Sequence, residues 1–190
     1  MKKYYMIFCF SLFVIGTFAQ EEDSIENKTN KKLIRQQKLE QKKLEAEATS
    51  RMVDWMVNHR NFVLEADYLT GENGNRVLVS SQINFIVVDS DKLTVQLAFV
   101  SGIGGGNGMG GITLDGIITK FDVQKSGKSG NYYTIKILAK IHVGSFNLLM
   151  TVNPDGSANA SLGGNYSGRL SYHGMLVPVS KSRVFKGMTS

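Results

Sequence analysis

The fold is decided by the stretch Asn61–Thr70, NFVLEADYLT, where the pattern of the chain changes. Phe62, Leu64 and Ala66 occupy alternate positions, and the polar Glu65 lies between two of them. A period of two is typical of a half-buried strand, because successive side chains of a strand point to opposite faces. The stretch therefore predicts the first strand of a β domain.

The same alternation recurs over residues 61–180, which we predict to be one antiparallel β domain of about eight to ten short strands. Turn-forming residues separate the alternating stretches, most clearly at Asp89-Ser90-Asp91 and Asn153-Pro154-Asp155-Gly156. Asp115-Gly116 predicts a further break between two strands. The class is mainly β, with a curved antiparallel sheet, a sandwich or an open barrel as the possible architectures. Because no helix of crossover length separates the strands, a doubly wound parallel sheet is excluded.

A charged segment, residues 20–60, precedes this domain and contains neither Gly nor Pro. Lys, Glu, Gln and Leu, which favour helices, dominate it. We predict one long helix from about Thr29 to Asn58, exposed to solvent over most of its length. Its last turns carry Met52, Trp55 and Met56, which we expect to dock on the β domain.

Residues 1–19 have the three parts of a secretory signal peptide. Lys2 and Lys3 supply positive charge, the apolar stretch from Met6 to Gly16 follows, and cleavage is predicted between Ala19 and Gln20. The apolar stretch is too short to span a bilayer. We therefore expect a periplasmic or secreted protein that is not an integral membrane protein after cleavage. The mature chain would contain no cysteine, because the single Cys9 is removed.

The net charge of +6 falls to +4 when Lys2 and Lys3 are removed with the leader. The remaining basic residues are spread along the chain and are locally dense only in the predicted basic tail, residues 181–190. A dispersed charge of this size is typical of a solubilising surface. We expect no nucleic-acid partner.

The Gly-rich segment 101–111 is the most conspicuous candidate for ligand contact. It lacks the Lys-Ser/Thr end and the following helix of a phosphate-binding loop, so no nucleotide cofactor is predicted. It could act as a flap that grips a small apolar ligand or a partner, while aromatic residues line a barrel mouth. The candidate contact residues are Ile103, Asn107, Met109, Tyr133 and Tyr172.

The sequence contains no motif that indicates a catalytic or a metal site. His142 and His173 could meet Asp115 or Asp122, but nothing in their spacing requires a metal, and we predict none. The chain has no Gly-x-Ser-x-Gly motif and few Glu residues in the β region. We therefore predict no enzyme and no catalytic residue.

Several short motifs together resemble a bacterial envelope family, domain-of-unknown-function family 4251 (DUF4251). They are Asn61-Phe62-Val63-Leu64-Glu65-Ala66-Asp67, Leu97-Ala98-Phe99-Val100, Gly110-Gly111-Ile112, Asn153-Pro154-Asp155-Gly156-Ser157-Ala158 and Leu170-Ser171-Tyr172-His173-Gly174. The resemblance covers about residues 51–178 and implies an exported protein of Bacteroidetes-like bacteria, with no known activity.

Two functions follow from these observations as hypotheses. The first is a non-catalytic interaction or binding module whose partner is an unidentified envelope protein. The alternative is a carrier of a small molecule or lipid in a barrel-like cavity.

Overall fold

The computed structural model describes residues 15–98, 111–127, 132–142, 144–164 and 170–187, with side chains from Asn30 onward. Within these residues one helix precedes nine strands and a short 3-10 turn. The helix is α1, Ile15–Asn58. The strands are β1 Asn61–Thr70, β2 Arg76–Leu78, β3 Phe85–Asp89, β4 Lys92–Leu97, β5 Ile112–Ser126, β6 Tyr132–Ile141, β7 Gly144–Val152, β8 Ser157–Gly164 and β9 Leu170–Val177, and the turn is Val179–Lys181. The predicted mainly β class with one long N-terminal helix is confirmed.

The strands form one closed antiparallel barrel of eight strands. Strands β3 to β9 follow one another around the sheet, β1 lies beside β3, and β9 returns to pair with β1. The short β2 pairs with the end of β1, beyond the part that pairs with β3. The sequence had left a curved sheet, a sandwich and an open barrel as alternatives, and the β1–β9 pairing selects a closed barrel.

The predicted break at Asp115-Gly116 is wrong, because β5 runs without interruption from Ile112 to Ser126. Gly116 pairs with Leu93 of β4 inside the strand. A Cβ atom at Gly116 would lie 3.1 Å from both Ile141 Cγ2 and the main-chain oxygen of Lys140. This glycine therefore permits close packing within the sheet rather than a turn.

Helix α1 begins earlier than predicted, at Ile15 instead of Thr29, and residues 17–29 contain neither Gly nor Pro to end it. The chain divides into two compact units after Glu45, and the helix from Ala46 onward belongs to the same unit as the strands. Within the described part of the chain, no helix is long and apolar enough to cross a membrane.

The last turns of α1 pack on the barrel through a face slightly different from the predicted one. Val53, Met56 and Val57 are buried, which is the i, i+3, i+4 spacing of one helix face. Docking by Met56 is confirmed. For Met52 and Trp55 it is wrong, because they lie on the adjacent face and remain 39% and 45% exposed.

The barrel interior is filled by side chains. Tyr133, Ile135, Ile137 and Ala139 alternate along β6 and are buried, as the period of two predicts. They belong to one apolar cluster that also contains the helix residues Val53, Met56 and Val57 and inward-facing residues of the other strands. The largest fully buried side chains include Tyr172, Phe62, Phe85, Leu64, Ile86, Leu93, Leu148 and Met150.

The segment 182–187 lies against the barrel wall and completes the hydrogen bonds of a buried glutamine. Gln96 is fully buried, and its Nε2 donates to the main-chain oxygens of Ile83 (3.1 Å) and Phe185 (2.8 Å). Its Oε1 accepts from Thr113 Oγ1 (3.1 Å) and from the Gly187 N–H (2.8 Å). The segment therefore supplies the second hydrogen bond of each half of this carboxamide.

The β1–β9 contact that closes the barrel requires glycine at one position. Gly174 pairs with Ala66, where the register of β1 shifts before Tyr68. A Cβ atom at Gly174 would overlap the main-chain oxygen of Glu65. The two backbones approach each other so closely that no side chain fits between them.

Replacing Gly174 by Ala is expected to lower the free energy of unfolding by about 3 kcal/mol, because the added methyl group forces β1 and β9 apart. Urea denaturation monitored by circular dichroism measures the effect. The matched control is Gly163→Ala in β8, where a Cβ atom would have no neighbour within 4 Å. The control should change stability by less than about 0.5 kcal/mol. Equal effects in the two variants would contradict the close approach.

Candidate functional site

Tyr172 is one of the five predicted contact residues, and it lies fully buried in the barrel. Its hydroxyl group donates to the main-chain oxygen of Gln96 at 3.1 Å, which ties β9 to β4 across the interior. Burial raises the pKa of the Tyr172 hydroxyl far above its ordinary value of 10.0. In this position the side chain stabilises the barrel and has no surface for a ligand.

Tyr133, a second predicted contact residue, joins the barrel to the end of α1. Its hydroxyl group donates to Asp54 Oδ1 at 2.6 Å, and Lys125 Nζ lies 3.2 Å from the same oxygen. The Lys125 ammonium also lies 5.0 Å from the centre of the Tyr133 ring. A helix carboxylate is thus held by a hydroxyl group and an ammonium group of two neighbouring strands.

The electrostatics of this cluster follow from its contacts. The hydrogen bond from Tyr133, with a smaller contribution from Lys125, lowers the pKa of Asp54. Burial, followed by the hydrogen bond to Asp54, raises the pKa of Tyr133, and the Asp54 carboxylate raises the pKa of Lys125. All three changes stabilise a charged Asp54–Lys125 pair beside a neutral tyrosine, which suits a structural contact between helix and barrel.

The other three predicted contact residues, Ile103, Asn107 and Met109, lie outside the described residues. Of the five candidates, the structure therefore places Tyr133 and Tyr172, and it holds them by separate hydrogen bonds to Asp54 and Gln96.

A stacked trio of side chains lies on the outer wall near the β1–β9 pairing. The Arg76 guanidinium carbon lies 3.4 Å from the centre of the Tyr68 ring, and the His173 ring stacks on Tyr68 at 4.4 Å between centres. His173 Nδ1 lies 2.5 Å from Asn159 Oδ1, and its Nε2 lies 3.2 Å from Thr70 Oγ1. Because an amide oxygen only accepts, Nδ1 carries the proton and Nε2 accepts from the threonine hydroxyl.

These contacts favour the neutral form of the His173 imidazole and occupy both of its ring nitrogens. Burial, followed by the positive charge of Arg76, lowers the pKa of His173 below its ordinary value of 6.5. Neither ring nitrogen has a lone pair or a proton to spare for a metal or a substrate. The predicted alternative in which His173 ligates a metal with His142 finds no support in this geometry.

A groove beside the exposed face of α1 was not predicted from the sequence, because Trp55 was expected to dock on the β domain. The groove has a volume of about 470 Å³ and is lined by Ala48, Arg51, Met52, Trp55, Pro178, Ser180 and Lys181. We call it the Trp55 groove. His59 stacks on the Trp55 ring at 4.8 Å between centres and donates from Nδ1 to the main-chain oxygen of Trp55 at 2.8 Å. The tryptophan is thus held in place while much of its ring remains open to solvent.

Two further grooves lie on the outer wall. One, of about 550 Å³, is bordered by Lys120, Asp122, Lys136 and Leu149 on strands β5 to β7. The other, of about 640 Å³, lies where β4, β5 and β6 adjoin. Lys92, Lys140 and Lys186 border the second groove, which is therefore strongly cationic. The regular spacing of strand residues gave no sign of either depression.

Comparison with known proteins gives the family. A family model described as "Domain of unknown function (DUF4251)" matches residues 44–176. The chain belongs to the DUF4251 family. The chain is also similar to the crystal structure of a DUF4251 family protein from Bacteroides eggerthii, with 26% sequence identity and a TM-score of 0.61 over 73% of this chain and 93% of that chain. No curated protein matches the sequence.

The DUF4251 match confirms the resemblance noted from the sequence motifs and carries no activity. It begins in the last turns of α1 and ends within β9, so the barrel and the docked end of the helix lie inside it. Pro178, Lys181 and Lys186 lie beyond it. Each of the Trp55 groove and the cationic groove thus includes residues outside the DUF4251 match.

Replacing Asp54 by Asn is expected to flatten the acid dependence of stability. A carboxylate whose folded pKa lies below its ordinary value of 3.8 stabilises the fold above that pH, and the stabilisation is lost as the pH falls through the folded pKa. Urea denaturation at about pH 6 and about pH 3 measures the loss. The loss should be smaller in Asp54→Asn than in the unaltered protein. Glu47→Gln, which removes the same charge at an exposed position of α1, should leave the loss unchanged; an equal loss in Asp54→Asn would contradict the assignment.

Replacing Arg76 by Gln is expected to raise the pKa of His173, because it removes a nearby positive charge. The pKa should remain below 6.5, since burial is the larger cause of its depression. An NMR titration of the imidazole carbon resonances measures the midpoint. Arg183→Gln, at an exposed position, is the control and should not move it. An unchanged midpoint in Arg76→Gln would show that the stacked guanidinium does not act on His173.

Proposed function

We propose that this DUF4251 protein is exported to the bacterial envelope and acts there as a non-catalytic interaction module, binding a partner protein through the Trp55 groove. One observation carries the proposal: Trp55 and Met52 are exposed and line a groove together with Pro178. Export is supported by the predicted leader, residues 1–19, with its basic start and its small residue at the cleavage position.

The cluster of buried side chains in the described part of the barrel supports an interaction module over the carrier hypothesis. A carrier would hold its ligand in a cavity inside the barrel. Here the inward-facing residues form one apolar cluster, and Val53, Met56 and Val57 of α1 pack into the same cluster. Within the described residues, the three grooves reported above are lined by the outer wall, by α1 and by the segment after β9.

The chemistry of the Trp55 groove indicates the kind of partner. Tryptophan, methionine and arginine are the side chains that dominate binding at protein interfaces. Arg51 and Lys181 border the groove, and none of the residues that line it is acidic. The complementary surface is therefore an apolar side chain flanked by carboxylates.

Site-specific photo-crosslinking tests the proposal in the organism that makes the protein. A photoreactive amino acid in place of Met52 is expected to capture one protein in a stoichiometric complex, which native mass spectrometry then identifies. The same group in place of Leu149, which is equally exposed on another part of the wall, is the control and should not capture it.

The partner's chemistry is tested with the purified pair. Charge reversal in the double variant Arg51→Glu, Lys181→Glu should weaken binding at least about tenfold, and the affinity of the unaltered protein should fall with added salt. Three results would overturn the proposal. They are equal capture at both crosslinking positions, an unchanged affinity in the charge-reversal variant, and binding to anionic lipid vesicles in place of a protein. A small molecule that co-purifies from inside the barrel would favour the carrier hypothesis instead.

A further inference from the structure

The cationic groove on the outer wall has a chemistry different from that of the Trp55 groove. In the barrel register Lys92 of β4 lies beside Ile117 of β5, and Ile117 lies beside Lys140 of β6. Neighbouring residues in such a row are about 5 Å apart and project from the same face of the sheet. An isoleucine side chain, 61% exposed, is therefore flanked by two lysines.

The charges of the groove are not balanced by its own residues. Asp115 is the carboxylate among the residues that line it, together with Lys92, Lys140 and Lys186. Lys186 Nζ lies 2.7 Å from Asp115 Oδ2, and the hydroxyl of Thr94 donates to Asp115 Oδ1 at 2.6 Å. Asp115 is thus already engaged by a lysine and a threonine hydroxyl. Within the described part of the chain, neither Lys92 nor Lys140 forms an ion pair.

The groove also offers apolar surface and enough room for a small molecule. Ile117, which faces outward, is the exposed apolar side chain of its lining. Its volume of about 640 Å³ lies in the range typical of small-molecule sites. An exposed isoleucine between two lysines that form no ion pair within the described residues is complementary to a ligand that is apolar along one part and anionic at one end.

We infer that this groove binds a single-chain amphiphile with an anionic head group, the head lying between Lys92 and Lys140 and the chain covering Ile117. Both ammonium groups then gain a counter-ion, and the isoleucine side chain leaves water. The segment after β9 takes part, because Lys186 engages Asp115 and so keeps that carboxylate from competing for the two lysines. The inference is independent of the protein interface proposed above, with which the groove shares no residue.

Titration of the unaltered protein with dodecanoate, below the micelle concentration of dodecanoate, tests the inference. Isothermal calorimetry measures the binding, and NMR of the methyl resonances locates it. We expect saturable binding of one molecule that shifts the Ile117 methyl resonances. Dodecanol, which has the same chain without the charge, should bind at least about tenfold more weakly, and acetate, which has the head without the chain, should not saturate. Dodecyl phosphate, compared with dodecanoate, distinguishes a phosphate head from a carboxylate.

Paired variants locate the site. The double variant Lys92→Gln, Lys140→Gln should weaken dodecanoate binding at least about tenfold, because it removes both cations. The matched control is Lys120→Gln, Lys136→Gln, which removes the same charge from the other outer groove and should bind normally. A Trp55→Ala variant should also bind normally, so failure of this inference is distinguishable from failure of the proposed interface.

Three results would overturn the inference: no saturable binding below the micelle concentration, equal affinity for dodecanol, or equal loss in the two double variants. The methyl shifts of the unaltered protein provide a location that does not depend on any variant folding. Shifts confined to residues away from β4, β5 and β6 would place the ligand elsewhere and would contradict the proposed site.

Discussion

The rest of the structure depends on the pairing of β1 with β9. Seven residue pairs join the two strands, from Val63 with Val177 to Thr70 with Ser171. The pairing leaves no open edge between the first and last strands of the barrel, so their main-chain groups are satisfied within the sheet. It also converts an open sheet with one apolar face into an enclosed core, against which α1 can bury Val53, Met56 and Val57.

The sequence predicted features set by neighbouring residues, such as the alternation of a strand, but not features set by contacts between distant residues, such as the closure of the barrel. Alternation along β6 placed Ile135 and Ile137 in the core correctly, because a period of two is a property of the strand itself. Closure of the barrel was left open, since residues 63 and 177 meet only in three dimensions. The same limit explains Gly116, where a common turn signal instead serves close packing against β6.

The candidate surfaces were harder to predict than the fold. A shift of one residue along α1, which is about 100° of rotation, separates the predicted face with Trp55 from the buried face with Val53, and the sequence pattern of the helix does not resolve the two. The burial of Gln96 on the outer wall depends on main-chain groups of Phe185 and Gly187, which no side-chain pattern reveals. The segment after β9 thus contributes Lys181 to one groove and Lys186 to the other, while its backbone forms hydrogen bonds with the side chain of Gln96 and the main chain of Gln82.

The closing pairing has a consequence for the order in which the chain folds. The barrel closes only when β1, near the start of the domain, pairs with β9, near its end. Contacts between residues far apart in sequence must therefore form before the core is enclosed, and topologies with such contacts fold slowly. Until β9 is available for pairing, the edges of β1 and β8 that it covers have unpaired main-chain groups, which can pair with other chains. A chain that emerges from its N-terminus therefore remains open to misassembly until β9 has also emerged.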